Sequence, residues 1–256
     1  MTEKSTLKFS EGNHQYWLDK RRIKGVTTLI KHGLPTPALK YWSARTVAEY
    51  VADHPEAVES LRAMGRAPMV SALKEVPWQR RDEAGVRGTE VHAYAQRLVK
   101  GEAVEVPPHL SGHVDSCVRF LDESRIVPLV VERPVANRHW WYAGTPDLIG
   151  RLPDGRIALC DWKTADSGIY GSTSLQLIAY ARAEFFVDDD WIEQPVPPVD
   201  ICLGVHLTAE GYTAFPMRSD ETAWQMFLHV AHVGRSAKDI DEWKYEPITF
   251  TTEAAA

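Results

Sequence analysis

Cysteine is scarce in this sequence. There are three among 256 residues, Cys117, Cys160 and Cys202, and no Cys-x-x-Cys pair. That excludes a zinc ribbon and a four-cysteine iron–sulfur cluster within one chain, and it fits a reducing compartment. A basic excess is missing as well: 29 Lys and Arg stand against 35 Asp and Glu, a net charge of −6. This argues against passive binding of nucleic acid through surface charge. It does not exclude an enzyme that meets phosphate through metal ions held by its own carboxylates. No apolar run approaches the ~18 residues of a membrane span, and the opening segment MTEKSTLKFSEGNHQ carries no apolar leader core. The expectation is a soluble, cytoplasmic chain with no membrane partner. No repeat of ~20–50 residues is visible. What is present is ordinary globular composition, 44% apolar and 25% charged, in a chain long enough to bury a full core.

Along the chain, short β-like runs from Leu7 to Val26 read as a hairpin or meander, with turns at Glu11-Gly12-Asn13 and Asp19-Lys20-Arg21. Thr27 or Thr28 is expected to cap a short helix ending at Gly33 and Pro35. Residues 37–74 carry a helical pattern divided by Pro55 and Pro68, and further helices are expected over 80–100 and 110–124. Three strands follow, Val127–Val135, Trp140–Arg151 and Arg156–Thr164, then a helix over Ser172–Val187 with Phe186 inward. A buried strand over Val199–Leu207, an edge strand over Tyr212–Met217 and a helix over Asp220–Arg235, capped by Ser219 or Asp220, complete the pattern. This order predicts a mixed α/β (α+β) fold with helices on the faces of a mixed sheet. The expected organisation is an N-terminal β-hairpin and helical subdomain over 1–79, a core over 80–250 and a disordered tail over 251–256.

The turn Pro153-Asp154-Gly155 locates the chemistry. In an antiparallel hairpin the numbers of facing residues sum to a constant, so a turn centred on 154 sets Asp147 opposite Asp161 (154 − 7 and 154 + 7). Facing Cβ atoms lie ~4.5–5.5 Å apart, and two carboxylates that close repel unless a cation lies between them. Lys163, two residues beyond Asp161, projects from the same face. An Asp-x-Lys on a strand is more often a surface ion pair. Here its neighbours Cys160 and Trp162 are apolar, so the strand is not a solvated one. Hard oxygen donors with few protein contacts suit Mg²⁺ or Mn²⁺.

The segment Gly144-Thr145-Pro146-Asp147, with Asp161-Trp162-Lys163 after the turn, resembles the signature of the PD-(D/E)XK nuclease superfamily, in its RecB-like and phage-exonuclease branch. Arg87-Gly88-Thr89-Glu90-Val91-His92 resembles the upstream helix motif of that family, and Leu175-Gln176-Leu177-Ile178-Ala179-Tyr180 its downstream one. The opening Tyr16-Trp17-Leu18-Asp19 to Val26-Thr27-Thr28 resembles the start of stand-alone phage members. The resemblance implies an αβββαβ restriction-endonuclease-like core without the iron–sulfur cluster of some relatives. It implies Asp147, Asp161 and Lys163 as catalytic residues. The ligands to one or two Mg²⁺ or Mn²⁺ ions would be His92, Asp147, Asp161 and the Trp162 carbonyl. Gln176 and Tyr180 would support the site and touch DNA. Glu132 matches a position that is often acidic, its alternative being an ion pair with Arg133 or Arg138. Gly88, one turn before His92, leaves room for a phosphate or metal. Gln96 departs from relatives that carry glutamate there, which thins the ligand set on that side.

The implied activity is metal-dependent hydrolysis of DNA phosphodiesters, an exonuclease acting in phage or bacterial recombination or replication. Its partners would be linear DNA, single- or double-stranded, and a recombination or single-strand-binding protein. The alternatives are a catalytically inactive module binding DNA ends or a partner on the same fold, and a metallohydrolase of small molecules. Trp140-Trp141-Tyr142 offers a stacking platform, with core packing expected for about half of it. Lys20-Arg21-Arg22-Lys24 and Arg80-Arg81 are candidates for phosphate contact or for solvated faces.

Overall fold

The computed structural model describes residues 4–10, 15–35, 37–237 and 239–248. The expected turn at Glu11-Gly12-Asn13 and the expected tail over 251–256 lie outside the described residues. The N-terminal meander is β1 (Lys8–Ser10), β2 (Gln15–Leu18) and β3 (Arg21–Ile23), paired in that order. Asp19 and Lys20, both with positive φ, close the second hairpin as a two-residue turn.

Helix α1 (Val26–Gly33) follows Gly25, which serves as its N-cap without a side-chain bond, so neither Thr27 nor Thr28 caps it. A helical region comes next: α2 (Pro37–Asp53), α3 (Pro55–Ala63) and α4 (Arg66–Val99). The helix expected to begin near residue 80 therefore begins at Arg66. Pro68 falls in its first turn, where a missing N–H costs nothing, and Pro77 is accommodated in its interior. Helix α5 (Ser111–Ser124) matches its expected bounds.

The core sheet has five strands: β4 (Val127–Val131), β7 (Leu148–Arg151), β8 (Ile157–Lys163), β11 (Ile201–Leu207) and β12 (Tyr212–Met217). They lie in the order β12-β11-β8-β7-β4, with β8 and β11 parallel and the other pairs antiparallel. Helix α6 (Ser172–Ala181) makes the crossover that parallel pairing requires, and α7 (Glu221–Ser236) closes the fold. Asp220 caps α7 by accepting the Ala223 N–H. The run α5-β4-β7-β8-α6-β11 is the expected αβββαβ order.

Two expected strands are each broken in two. The first ends at Val131 because Glu132 takes φ +49°, and the chain resumes as β5 (Val135–Asn137). The second splits into β6 (Tyr142–Gly144) and β7 at Thr145-Pro146-Asp147, where proline offers no ladder donor. Strands β5 and β6 join β9 (Phe185–Val187) and β10 (Glu193–Pro195) in a separate four-stranded sheet, β10-β9-β5-β6. The helix expected through Val187 accordingly stops at Ala181. Phe186 lies on β9, paired with Val135.

One face of the core sheet packs Ile149, Ile157 and Leu159 against α1, α6 and α7. The other packs Leu148, Cys160, Trp162 and Val205 against α4 and α5. Covered on both sides, β8 is buried from Ile157 to Trp162. The three cysteines are all buried and free. Among the described residues no helix is long and apolar enough to cross a membrane.

Candidate active site and metal centre

Five elements converge at the end of the β7–β8 hairpin. The ladder pairs Leu148 with Cys160 and Arg151 with Ile157. Each pair sums to 308, twice 154, as the turn at Asp154 requires. The ladder ends at that first pair, and Asp147 stands in a bend just before Leu148 while Asp161 follows Cys160 on β8. Both carboxylates are buried, 6% and 2% exposed. The Trp162 N–H donates to Asp147 Oδ2 at 2.6 Å, so the backbone of β8 holds the Asp147 side chain directly.

His92 reaches in from α4. Its Nδ1 lies 3.2 Å from Asp147 Oδ1 and 3.9 Å from Glu132 Oε1. Its Nε2 lies 3.1 Å from the Trp162 carbonyl oxygen, the carbonyl suggested as a ligand, which keeps a second lone pair. Ligand atoms of His92, Glu132 and Asp147 all lie within 4.8 Å of one another. Glu132 therefore occupies the site rather than pairing with its basic neighbours: Arg133 pairs with Asp189, and Arg138 with Glu193 and Asp19. The left-handed backbone at Glu132, whose N–H donates to the Asp147 carbonyl at 3.2 Å, turns it there.

Asp161 belongs to a second set. Its Oδ1 accepts from Gln176 Nε2 at 2.6 Å, and its Oδ2 contacts the Lys163 ammonium. Gln176 Oε1 accepts from Lys163 Nζ at 3.3 Å, and Gln176 Nε2 reaches Tyr180 Oη at 3.4 Å. One expectation is corrected here. Tyr180 is only 3% exposed, packed under the site, so it has no surface with which to touch DNA. Gly88 has one close neighbour, since a Cβ there would meet only Thr164 Oγ1, at 3.3 Å. Its smallness lets α4 approach the segment after β8.

The electrostatics are those of acids crowded together without enough positive charge. Burial, then the charge of Asp147, raises Glu132 to about 8. Burial and the Asp147 charge lift Asp161 against the pull of Lys163. Asp147 is held below its ordinary range: burial opposes this, and His92 outweighs it. Burial would lower His92, but Asp147 leads a group of carboxylates that raises it to about 9. Asp161 and Asp147 likewise raise Lys163 against burial. Two carboxylates and an imidazole gathered within 4.8 Å, with Asp161 beside them in the second set, form a donor set that can take a divalent ion such as Mg²⁺ or Mn²⁺. Asp161 Oδ2 is buried, and its partner is the Lys163 ammonium.

The other expected groups lie elsewhere. Tyr142 is buried and donates to the Ala179 carbonyl, Trp141 is covered by the Arg21 guanidinium at 4.7 Å, and Trp140 packs edge-on against Trp224. Lys24 donates to the Gly234 and Arg235 carbonyls at the end of α7, so it caps that helix. Arg80 pairs with Glu49, and Arg81 stacks on Trp78 and pairs with Asp82. The sequence reading missed Thr145 as a partner of the site. Its hydroxyl bonds Tyr16 Oη at 2.9 Å, and the Gly-Thr-Pro-Asp bend was the available signal.

No protein-family profile matches the chain, and no curated protein matches it. Several solved structures are similar to it, two of which follow. One, described as the crystal structure of SSO0001, is 10% identical with a TM-score of 0.32, covering 84% of this chain and 74% of that one. The other is an alkaline exonuclease (LHK-Exo) from Laribacter hongkongensis, 11% identical with a TM-score of 0.35, covering 61% and 81%. At values of this size the chemistry must be argued from the site's own residues.

Proposed function

We propose that this chain is a divalent-metal-dependent nuclease of the PD-(D/E)XK kind, a DNA exonuclease hydrolysing phosphodiester bonds. The observation that supports it best is the adjacency of two sets on one hairpin end. A His92–Glu132–Asp147 donor set suited to a hard cation adjoins an ammonium fixed by Asp161 and Gln176.

In this reading His92, Glu132 and Asp147 would hold Mg²⁺ or Mn²⁺, and Asp161 would be a further carboxylate available to it. A bound divalent ion lowers the pKa of a coordinated water and offsets charge on the phosphate. Trp162 N–H keeps Asp147 aimed at the ion. Lys163 supplies a fixed positive charge and a donor to the attacking water or a phosphate oxygen, in a site largely shielded from solvent. Gln176 fixes the Lys163 and Asp161 head groups relative to each other, and Tyr180 braces Gln176 from below. Water oxygen bonds to phosphorus, the bond to the 3′ oxygen breaks, and a proton passes to that oxygen. The products are a 5′-phosphate and a 3′-hydroxyl.

The substrate proposed is linear DNA, in phage or bacterial recombination or replication. Digestion of end-labelled linear, circular and single-stranded DNA with Mg²⁺, Mn²⁺ or chelator tests the reading. Release of nucleotides from ends only, with circular DNA intact, is expected. Cleavage of closed circles would make the chain an endonuclease, and no cleavage of any form would favour the non-catalytic binding module.

A further inference from the structure

The bend that aims Asp147 is held partly from outside the αβββαβ core. Three contacts fix it. The Tyr180 ring lies under Gly144 so closely that a Cβ there would sit 2.3 Å from it. The Glu132 N–H takes the Asp147 carbonyl. The third contact comes from the N-terminal meander: Tyr16 Oη lies 2.9 Å from Thr145 Oγ1, two residues before Asp147.

Tyr16 is itself rigidly placed. It sits on the central strand of the meander, paired with Phe9 on one side and Ile23 on the other. Its ring stacks on Phe9 at 4.6 Å, and a Cβ on Gly25 would meet the ring at 3.3 Å. The meander is joined in turn to the strand that leads into the bend: Gly25 bridges Ala143, and the Ala143 N–H donates to the Lys24 carbonyl at 3.2 Å. Ring packing alone would be served equally by phenylalanine. The hydroxyl is the part that needs another explanation, and its partner is Thr145. Burial pushes the phenol up to about 12, so near neutrality it stays protonated and adds no charge beside Glu132.

We infer that Tyr16 is a positioning residue for the carboxylate site. Through Thr145 its hydroxyl fixes the bend that aims Asp147, which makes the N-terminal meander part of the metal-binding unit. The inference rests on the proposed reading of that site.

The test uses the full chain with Tyr16→Phe, Thr145→Val, the double variant and Thr145→Ser. Mn²⁺ affinity by titration calorimetry, melting temperature in chelator, and single-turnover cleavage of linear DNA are measured for each. Either single variant should weaken Mn²⁺ binding about three- to tenfold, the range one net hydrogen bond commands. Cleavage should fall in parallel, with KM for DNA unchanged. The double variant should be no worse than either single one, and Thr145→Ser should keep parental affinity. Parental Mn²⁺ affinity in Tyr16→Phe, or losses that multiply in the double variant, would overturn the inference alone. A parental chain that binds no Mn²⁺ would overturn it together with the site reading. If Tyr16→Phe does not fold, the Thr145 pair reads the same contact from the other side.

Discussion

The Trp162 N–H donates to Asp147 Oδ2 at 2.6 Å, so the backbone of one hairpin strand holds the carboxylate that stands at the entry to the other. Consequences follow for metal binding, because the Asp147 side chain is oriented by backbone before any ion arrives. Asp147→Ala should abolish both Mn²⁺ binding and cleavage. Lys163→Ala should keep Mn²⁺ affinity within a few-fold and lower the cleavage rate by about 10²–10³, the usual worth of one fixed electrostatic group. Calorimetry and single-turnover kinetics on the two variants separate these roles. Cleavage at the parental rate by Lys163→Ala would remove the lysine from the mechanism.

Gln176 donates to Asp161 and accepts from Lys163. Gln176→Leu should therefore lower turnover by about tenfold, because the Asp161–Lys163 ion pair loses the side chain that bonds both head groups. Loss of the buried bonds should cost about 1–3 kcal/mol, read as a fall in urea midpoint with unchanged slope. A variant with parental turnover would show that Lys163 needs no brace.

Stability of the metal-free chain should fall as pH rises from about 5 to 9. His92 is raised from 6.5 to about 9, so its contribution is complete below pH 6.5 and is lost as pH passes through 9. Glu132 is raised from 4.5 to about 8, so above pH 4.5 the folded chain keeps a proton that the unfolded chain releases, and stability drops through the same interval. Asp147, held low, contributes throughout this window and leaves the trend unchanged. A divalent ion takes the deprotonated ligands, so the rise in melting temperature on adding Mn²⁺ should grow with pH. Melting curves at five pH values, with chelator and with Mn²⁺, check both slopes.

Gly144→Ala should destabilise the chain by about 1–3 kcal/mol, the range for overpacking, because the added methyl would sit 2.3 Å from the Tyr180 ring. For a chain of this size that is about 2–4 °C in melting temperature per kcal/mol. Mn²⁺ affinity should fall with it, since the same bend aims Asp147. Gly88→Ala, facing only a hydroxyl at 3.3 Å, should cost far less.

The hairpin register was legible because Pro153-Asp154-Gly155 closes it with Gly155 at φ +91°, and a period of two then assigns every facing pair. The shared face of Asp161 and Lys163 followed from the same period. The break at Glu132 was not legible, and at Thr145–Asp147 glycine and proline signalled a bend but not the separate sheet beyond it. A left-handed glutamate is imposed by tertiary contacts rather than by propensity, and each broken run still carries strand-like residues on both sides. Helix α4 continues past Pro77 for a related reason: Val76 and Pro77 are buried against other elements, which compensates a local cost that sequence rules count as a stop. Tyr16 was invisible as a site residue because its partner lies 129 positions away.

The most direct test is the rate at which the purified chain cleaves linear DNA as Mn²⁺ is removed and restored. Cleavage that stops in chelator, returns with excess Mn²⁺ and is absent in Asp147→Ala is the expected result. Cleavage undiminished by chelator, or none at any Mn²⁺ concentration, would contradict a metal-dependent nuclease built on His92, Glu132 and Asp147.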